Sequence, residues 1–356
     1  MMHWIVQRHH WRVKDNNNFA LFRLPNEKRI KVLISKPESV IVSQTFADFN
    51  ATDKGFLFAP YNLKKHSSIL LQPDIMEEFD LPTDRTENLS IKVDSTQPDA
   101  TYSNAFSAAL NQLHENKKIE KLVLARSKSI STNGKKPLDI FIQACLHYPN
   151  AMVYWFCSDI TGSWLGATPE VFISGSCDRL KTVALAGSKS FQIKDKSDLS
   201  MWDEKNKKEQ KLVEEFLINC IKSKGRLLDA VGPFSFQAGH IAHLKSELLF
   251  AIEKDDLMNF IAYAHPTPAI CGLPQSSAKE FLEIHESFDR LYFSGLLGWL
   301  DPQNSSNLFV NLRCMNWLSN HSATLFAGSG LLPSSNLLSE WMETESKMET
   351  LKRLFD

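Results

Sequence analysis

The chain has 356 residues, 43% hydrophobic and 23% charged. That excludes a disordered tail, a collagen-like repeat and a small disulfide-stapled scaffold, and it is length enough for one large or two ordinary domains. With 40 basic and 41 acidic residues the formal net charge is −1, so no global field draws nucleic acid or an anionic membrane, and an anionic ligand has to be held by a local cluster.

The N-terminal stretch from Met1 to Lys14 is basic and aromatic but lacks the apolar core of a signal peptide. No uninterrupted apolar run approaches the ~18 residues of a membrane span. The six cysteines (Cys145, Cys157, Cys177, Cys220, Cys271 and Cys314) include no C-x-x-C pair. These features together predict a soluble, cytoplasmic protein with reduced thiols and no zinc or redox motif.

The first hundred or so residues carry turn signals (Asp15 to Asn18, Pro37, Pro82-Thr83-Asp84) and few clear periods. Phe106, Ala109, Leu110 and Leu113 then repeat at helical spacing. Ile119 to Arg126 reads as a buried strand and Ile140 to His147 as a helix. Ala151 to Cys157, Ser163 to Thr168, Glu170 to Ser174 and Leu180 to Ala186 read as an antiparallel meander. A charged helix is expected over Asp203 to Lys224, with its apolar stripe on Val213, Phe216, Leu217, Cys220 and Ile221. A further helix over Ser277 to Ile284 is expected to open on the Ser276-Ser277 pair. Leu308 to Met315 and Ala323 to Ala327 read as strands, and Ser339 to Leu354 as a helix. Strand runs punctuated by helices predict an α+β architecture. With no mid-chain linker, one extended domain is expected: residues 1–103 a variable part of the sheet system, residues 104–356 the region that carries the chemistry.

Several residues stand out chemically. Lys121 sits among apolar strand neighbours; it either snorkels to the surface or lies in a partly dry site, where burial disfavours the ammonium and makes a lysine usable as a base. Glu170 follows Gly166-Ala167-Thr168-Pro169, as an exposed turn residue or as a carboxylate presented at a strand start. Glu209 continues the apolar stripe of its helix, where a carboxylate is costly unless paired or metal-bound. Glu340, Glu343 and Lys347 share one helical face, as a surface ion pair would or as part of a site. Gly328-Ser329-Gly330 is a turn, or a place where N–H groups converge on an anion. Arg313 lies among strand residues, suited to fork onto a carboxylate. His265-Pro266-Thr267-Pro268 is a stiff loop. Two helix-borne carboxylates with no His/Cys cluster point to Mg²⁺.

From about residue 104 onward the chain resembles the chorismate-utilising enzymes, and among them the isochorismate synthase branch. The resemblance rests on KLVLAR (Lys121 to Arg126), GATPE (Gly166 to Glu170), KTVALAGS (Lys181 to Ser188), NKKEQKLV (Asn206 to Val213), HPTPAICGLP (His265 to Pro274), ESFDRLYFSGLLGWLD (Glu286 to Asp301), LRC (Leu312 to Cys314) and LFAGSGLLPSSNLLSEWMETESK (Leu325 to Lys347). It implies an α/β fold of two large antiparallel sheets flanked by helices, with the site in a deep cleft. It implies Lys121 as general base, Glu170 as general acid, and Glu209 and Glu343 as ligands of Mg²⁺. Ala186, Gly187, Ser188, His243, His265, Ala269, Arg313, Gly328, Gly330 and Lys347 are the implied substrate contacts. Gln210 departs from the family's usual histidine after the first metal glutamate, and the loop between Gly187 and Glu209 is a few residues short.

The reaction so implied is conversion of chorismate to isochorismate, with water added at C2 and the C4 hydroxyl lost. A lysine at 121 favours water over ammonia as nucleophile. Ala186 argues against the branch that places a nucleophilic lysine there. Salicylate synthase, which goes on to eliminate pyruvate, and a non-catalytic chorismate-binding subunit are the alternatives. The product would feed menaquinone or a catechol siderophore. No glutamine amidotransferase partner, nucleic acid or membrane is expected, and the chain is expected to be a monomer.

Overall fold

The structure is a computed structural model that describes residues 18–82, 96–115, 118–189, 192–238 and 241–355. The N-terminal stretch read above, the turn signals at Asp15 to Asn17 and at Thr83-Asp84, and the side chain of Ser188 lie outside the described residues.

Six strands come first: β1 (Phe19–Arg23), β2 (Arg29–Ile34), β3 (Val40–Ser43), β4 (Gly55–Ala59), β5 (Ser68–Leu71) and β6 (Ile75–Asp80). Helix α1 (Ala100–Glu115) leads into β7 (Lys121–Ser131), α2 (Pro137–His147), β8 (Met152–Ser158), β9 (Gly162–Thr168), β10 (Val171–Ser176) and β11 (Arg179–Lys189). Then follow α3 (Glu204–Lys224), β12 (Arg226–Ala238), β13 (Ile241–Ala251), α4 (Leu257–Ala264), β14 (Gly272–Leu273) and α5 (Gln275–His285). The chain ends with β15 (Leu296–Leu300), β16 (Ser306–Val310), β17 (Cys314–Ser319), β18 (Ser322–Leu331) and α6 (Leu337–Lys352).

Among the described residues these strands form two nine-stranded sheets, ordered β14-β7-β18-β17-β9-β8-β1-β2-β6 and β12-β13-β11-β10-β16-β15-β4-β5-β3. The paired strands run antiparallel. The early strands thus extend both sheets. β1 and β4 are buried on both faces, which is why they read as unbroken apolar runs without alternation. Their inner faces meet through aromatic rings: Phe22 lies 5.0 Å from Phe56 and Phe58 4.3 Å from Phe156. Helices cover the outer faces, α3 and α4 on the second sheet, α2 and α6 on the first, with α1 and α5 over β7.

The residues expected to form one meander are two hairpins in different sheets: β8–β9 belongs to the first, β10–β11 to the second. The chain crosses between them at Thr168-Pro169-Glu170, where Pro169 has no N–H to continue a ladder. It crosses back between β16 and β17, so the strand expected over Leu308 to Met315 is two, broken at Arg313 with φ 48°. The crossings are bonded to each other: Ala167 N–H donates to Arg313 O at 3.0 Å, Val310 N–H to Glu170 O at 3.0 Å, and Thr168 Oγ1 to Val310 O at 2.6 Å. Period-2 alternation reports burial, and it carries no information about which sheet a strand joins.

Three further differences matter. The long β12–β13 hairpin has no counterpart in the sequence reading. Helix α5 begins right after Pro274 with no side-chain cap, so the serine pair does not open it. Strand β18 runs on to Leu331, which makes Gly328-Ser329-Gly330 strand rather than turn.

Candidate active site

The two crossings put Glu170 and Arg313 side by side at the end of the aromatic core. Both line one cavity, whose apolar wall includes Val123, Leu185, Ile270, Phe293, Leu312 and Phe326. Glu170 is buried. Desolvation pushes its carboxyl up to about 7, and the positive charges of Lys347, Lys121 and Arg313 offset only part of that. Burial likewise brings the Arg313 guanidinium down to about 10, against the pull of Glu343, Tyr148 and Glu170. Its Nη1 donates to Thr350 Oγ1 at 3.1 Å, and its Nη2 lies 3.5 Å from His243 Nε2.

Lys121 opens β7 and is 0% exposed, so it does not snorkel. Its Nζ lies 3.0 Å from Glu209 Oε1 on α3. That contact is an ion pair without good hydrogen-bond alignment, and no other acceptor for the ammonium is present among the described residues. Burial raises the Glu209 carboxyl, but Lys121 and Lys205 outweigh it and hold the group below its ordinary value. A Cβ on Gly330 would fall 2.0 Å from Glu209 Oε1. This glycine is therefore a space for the carboxylate; Gly330 and Gly328 stand opposite Val123 and Ala125 of β7, whose own N–H groups point to the other edge, so the backbone groups of the two glycines face away from that strand.

Helix α6 brings the other charged pair. Asn336 caps it, accepting from Ser339 N–H at 3.1 Å. Lys347 Nζ donates to Glu343 Oε1 at 2.6 Å and to Gly328 O at 2.9 Å. Glu340, on the same face, turns elsewhere. It accepts from Lys205 Nζ at 2.5 Å and from Ser329 Oγ.

Gly187, Ala186 and Ala269 line the cavity as expected of substrate contacts. Gly187 sits at a register shift in the β11–β13 ladder with φ 70°, where a Cβ would press on Asn206 at 3.1 Å. Its carbonyl lies 2.9 Å from His243 Nδ1. Since Arg313 only donates, His243 Nε2 accepts and Nδ1 carries the hydrogen. His265 is not among the lining residues: its Nε2 is 3.3 Å from Pro60 O and its ring meets Phe46 and Phe172 edge-on. Burial takes its imidazole down to about 4. The stiff loop still reaches the cavity, through Ala269 and Ile270. The apolar wall escaped the sequence reading because Leu, Ile and Phe in strands carry no chemical signal distinct from core.

Glu209 and Glu343 are hard oxygen donors that line one cavity, each with one oxygen against a lysine. Among the described residues no three His, Cys, Asp or Glu side chains converge to hold an ion by themselves. Two carboxylates with the rest of the shell left to water and substrate is a donor set that fits Mg²⁺.

A model of the chorismate binding enzyme family matches residues 34–356, which reaches well N-terminal to the segment read from sequence. Isochorismate synthase EntC of Escherichia coli (strain K12) is 26% identical over 280 residues, 76% of this chain and 71% of that one. The vibriobactin-specific isochorismate synthase of Vibrio cholerae is 29% identical over 270 residues, 73% of this chain and 68% of that one. In fold, the chain is similar to the menaquinone-specific isochorismate synthase MenF of Escherichia coli, with a TM-score of 0.74 and 19% identity over 96% of this chain and 89% of that one.

Proposed function

Because the chain belongs to the chorismate binding enzymes, we propose that it is an isochorismate synthase, an isomerase acting on chorismate. The observation that carries the reading is the cavity itself: it is lined by a carboxyl protonated to about pH 7, by Glu209, by the Glu343–Lys347 pair and by a buried arginine, with Lys121 behind Glu209. Acid–base chemistry on a small dianion needs that set.

In the reaction, water forms a bond to ring C2, the double bond shifts, and the C4–oxygen bond breaks. Lys121 takes a proton from the attacking water. Glu170 gives a proton to the departing hydroxyl, which leaves as water, so atoms and charge balance. A positioned base and a positioned acid contribute ~10²–10⁴ each. Arg313 and Lys347 hold the substrate carboxylates, and Gly187 and Ala186 lie along the ring. Glu209 and Glu343 would hold Mg²⁺, which would supply positive charge to offset a substrate carboxylate.

The test is product analysis by chromatography and mass spectrometry, with purified protein and chorismate, with and without Mg²⁺ and ammonium. An isomer of chorismate formed whether or not ammonium is present supports the reading. Salicylate with pyruvate would move the protein to the lyase branch, and an ammonium-dependent amine would overturn the role given to Lys121. Bound but unconverted chorismate would make it a binding subunit.

A further inference from the structure

The segment Glu286 to Arg290, noted above only as part of a matching run, has a task of its own in the structure. Arg290 is almost fully buried, which is unfavourable for a guanidinium unless every donor is met. Its Nε and Nη2 donate to the two oxygens of Glu286 at 2.7 and 2.5 Å. Its Nη1 donates to Ile270 O at 2.7 Å, and its Nη2 also to Val123 O at 2.7 Å. Glu286 Oε1 in turn accepts from Ala125 N–H at 2.8 Å.

The location of these bonds gives them meaning. On one edge β7 pairs with β18, residue for residue. On the other its only strand partner among the described residues is β14, through Leu122 and Lys121, extended by the bond from Val123 N–H to Cys271 O at 2.8 Å. Past that point the partner chain turns away, which is what lets Ile270 and Ala269 face the cavity. The next two groups of β7 on that edge, Val123 C=O and Ala125 N–H, are taken by Arg290 and Glu286. Two side chains stand in for a strand, and the same guanidinium reaches across the gap to hold the diverging loop at Ile270. Val123 and Ile270 both line the cavity, and Lys121 shares a strand face with Val123.

We propose that Glu286 and Arg290 are a positioning pair for the reaction: they fix the separation between the strand that bears Lys121 and the opposite wall at Ile270, and so the placement of the base against the substrate ring. This rests on the reading of Lys121 as base. Lysine at 290 keeps the charge but cannot meet a carboxylate and two carbonyls at once.

The experiment compares Arg290→Lys and Glu286→Gln with a matched control, Arg23→Lys. Arg23 is an equally buried arginine that donates to Tyr148 O and Pro149 O at 2.6 and 2.5 Å, and none of these three residues lines the cavity. Steady-state kinetics on chorismate and thermal unfolding are measured for all three. The expected result is a fall in kcat of about 10²-fold for Arg290→Lys, the scale of a small misplacement of reacting groups, with KM changed less than about threefold. Arg23→Lys is expected to lose comparable thermal stability and keep its kcat. Glu286→Gln, which preserves shape, is expected to lower kcat in the same sense and carries the test if Arg290→Lys does not fold. Wild-type kcat in the folded variants, a loss confined to KM, or an equal loss in Arg23→Lys overturns the proposal. An inactive wild type would overturn the functional reading as well, so the two failures are distinct.

Discussion

A carboxyl group that stays protonated near neutrality needs a cause, and at Glu170 it is desolvation that three nearby cations fail to cancel. Two consequences follow from its rise from 4.5 to about 7. As an acid it must enter the reaction protonated, so kcat/KM should fall as pH rises through about 7, tenfold per unit beyond. Glu170→Gln should lose at least ~10² in kcat and still bind chorismate, which calorimetry would check. For stability, the folded state binds the extra proton between the two values, so this residue destabilises the fold progressively over that window as pH rises. Urea unfolding of Glu170→Gln should therefore lack that part of the decline between pH 5 and 8. An equal decline in the variant would assign it to other groups. At this scale the sequence was legible where a charge broke an apolar pattern, as at Lys121 and Glu209. It was illegible where the site uses ordinary core residues such as Phe293 and Phe326, and it misplaced His265, because a stiff loop does not reveal which of its side chains faces inward.

Elements place those residues, and β18 does so by what it lacks. It lies between β7 and β17, under α6, and a methyl group at Gly330 would overlap the Glu209 carboxylate. Gly330 has an ordinary strand conformation, so alanine there strains no backbone; it displaces the carboxylate and its ion pair with Lys121. Gly330→Ala should fold and yet lose about 10² or more in kcat. Near-wild-type turnover with unchanged Mg²⁺ dependence would show that Glu209 does not need this position. Helix α6 offers a complementary case: Asn336→Ala removes its cap and should cost about 1 kcal/mol in urea unfolding with little change in KM. A helix with a strong period, such as α3, could be read from the sequence almost residue by residue, whereas the strand read over Ile119 to Arg126 runs from Lys121 to Ser131. The β12–β13 hairpin could not. β12 (RLLDAVGPFSFQA) is an edge strand with a Gly-Pro step and register shifts, and most of its residues up to Pro233 are exposed, so no alternation is imposed on it.

At the scale of the whole molecule, two sheets packed through aromatic rings hold a cavity where the chain twice passes from one to the other. The stability of that frame comes from the rings and the helices outside, with the charged site as a small addition at its margin. Around the cavity, Glu209 and Glu343 are balanced by Lys121 and Lys347, and Arg313 adds one positive charge while Glu170 is neutral. A dianionic substrate would leave this set negative, and a divalent cation restores the balance. Chelation with EDTA should therefore abolish turnover while the sheets stay intact, with far-UV circular dichroism unchanged. Added Mg²⁺ should raise the unfolding temperature in a saturable way, since a ligand of the native state at a hundredfold excess over its Kd contributes about 2.7 kcal/mol. Glu209→Gln should lose most of that increment, because an amide is a poor ligand for a hard cation. The Tm of the wild type and of this variant would be recorded with Mg²⁺ and with EDTA. Equal increments in the two proteins would place the cation elsewhere on the molecule, and full turnover in EDTA would remove it from the chemistry.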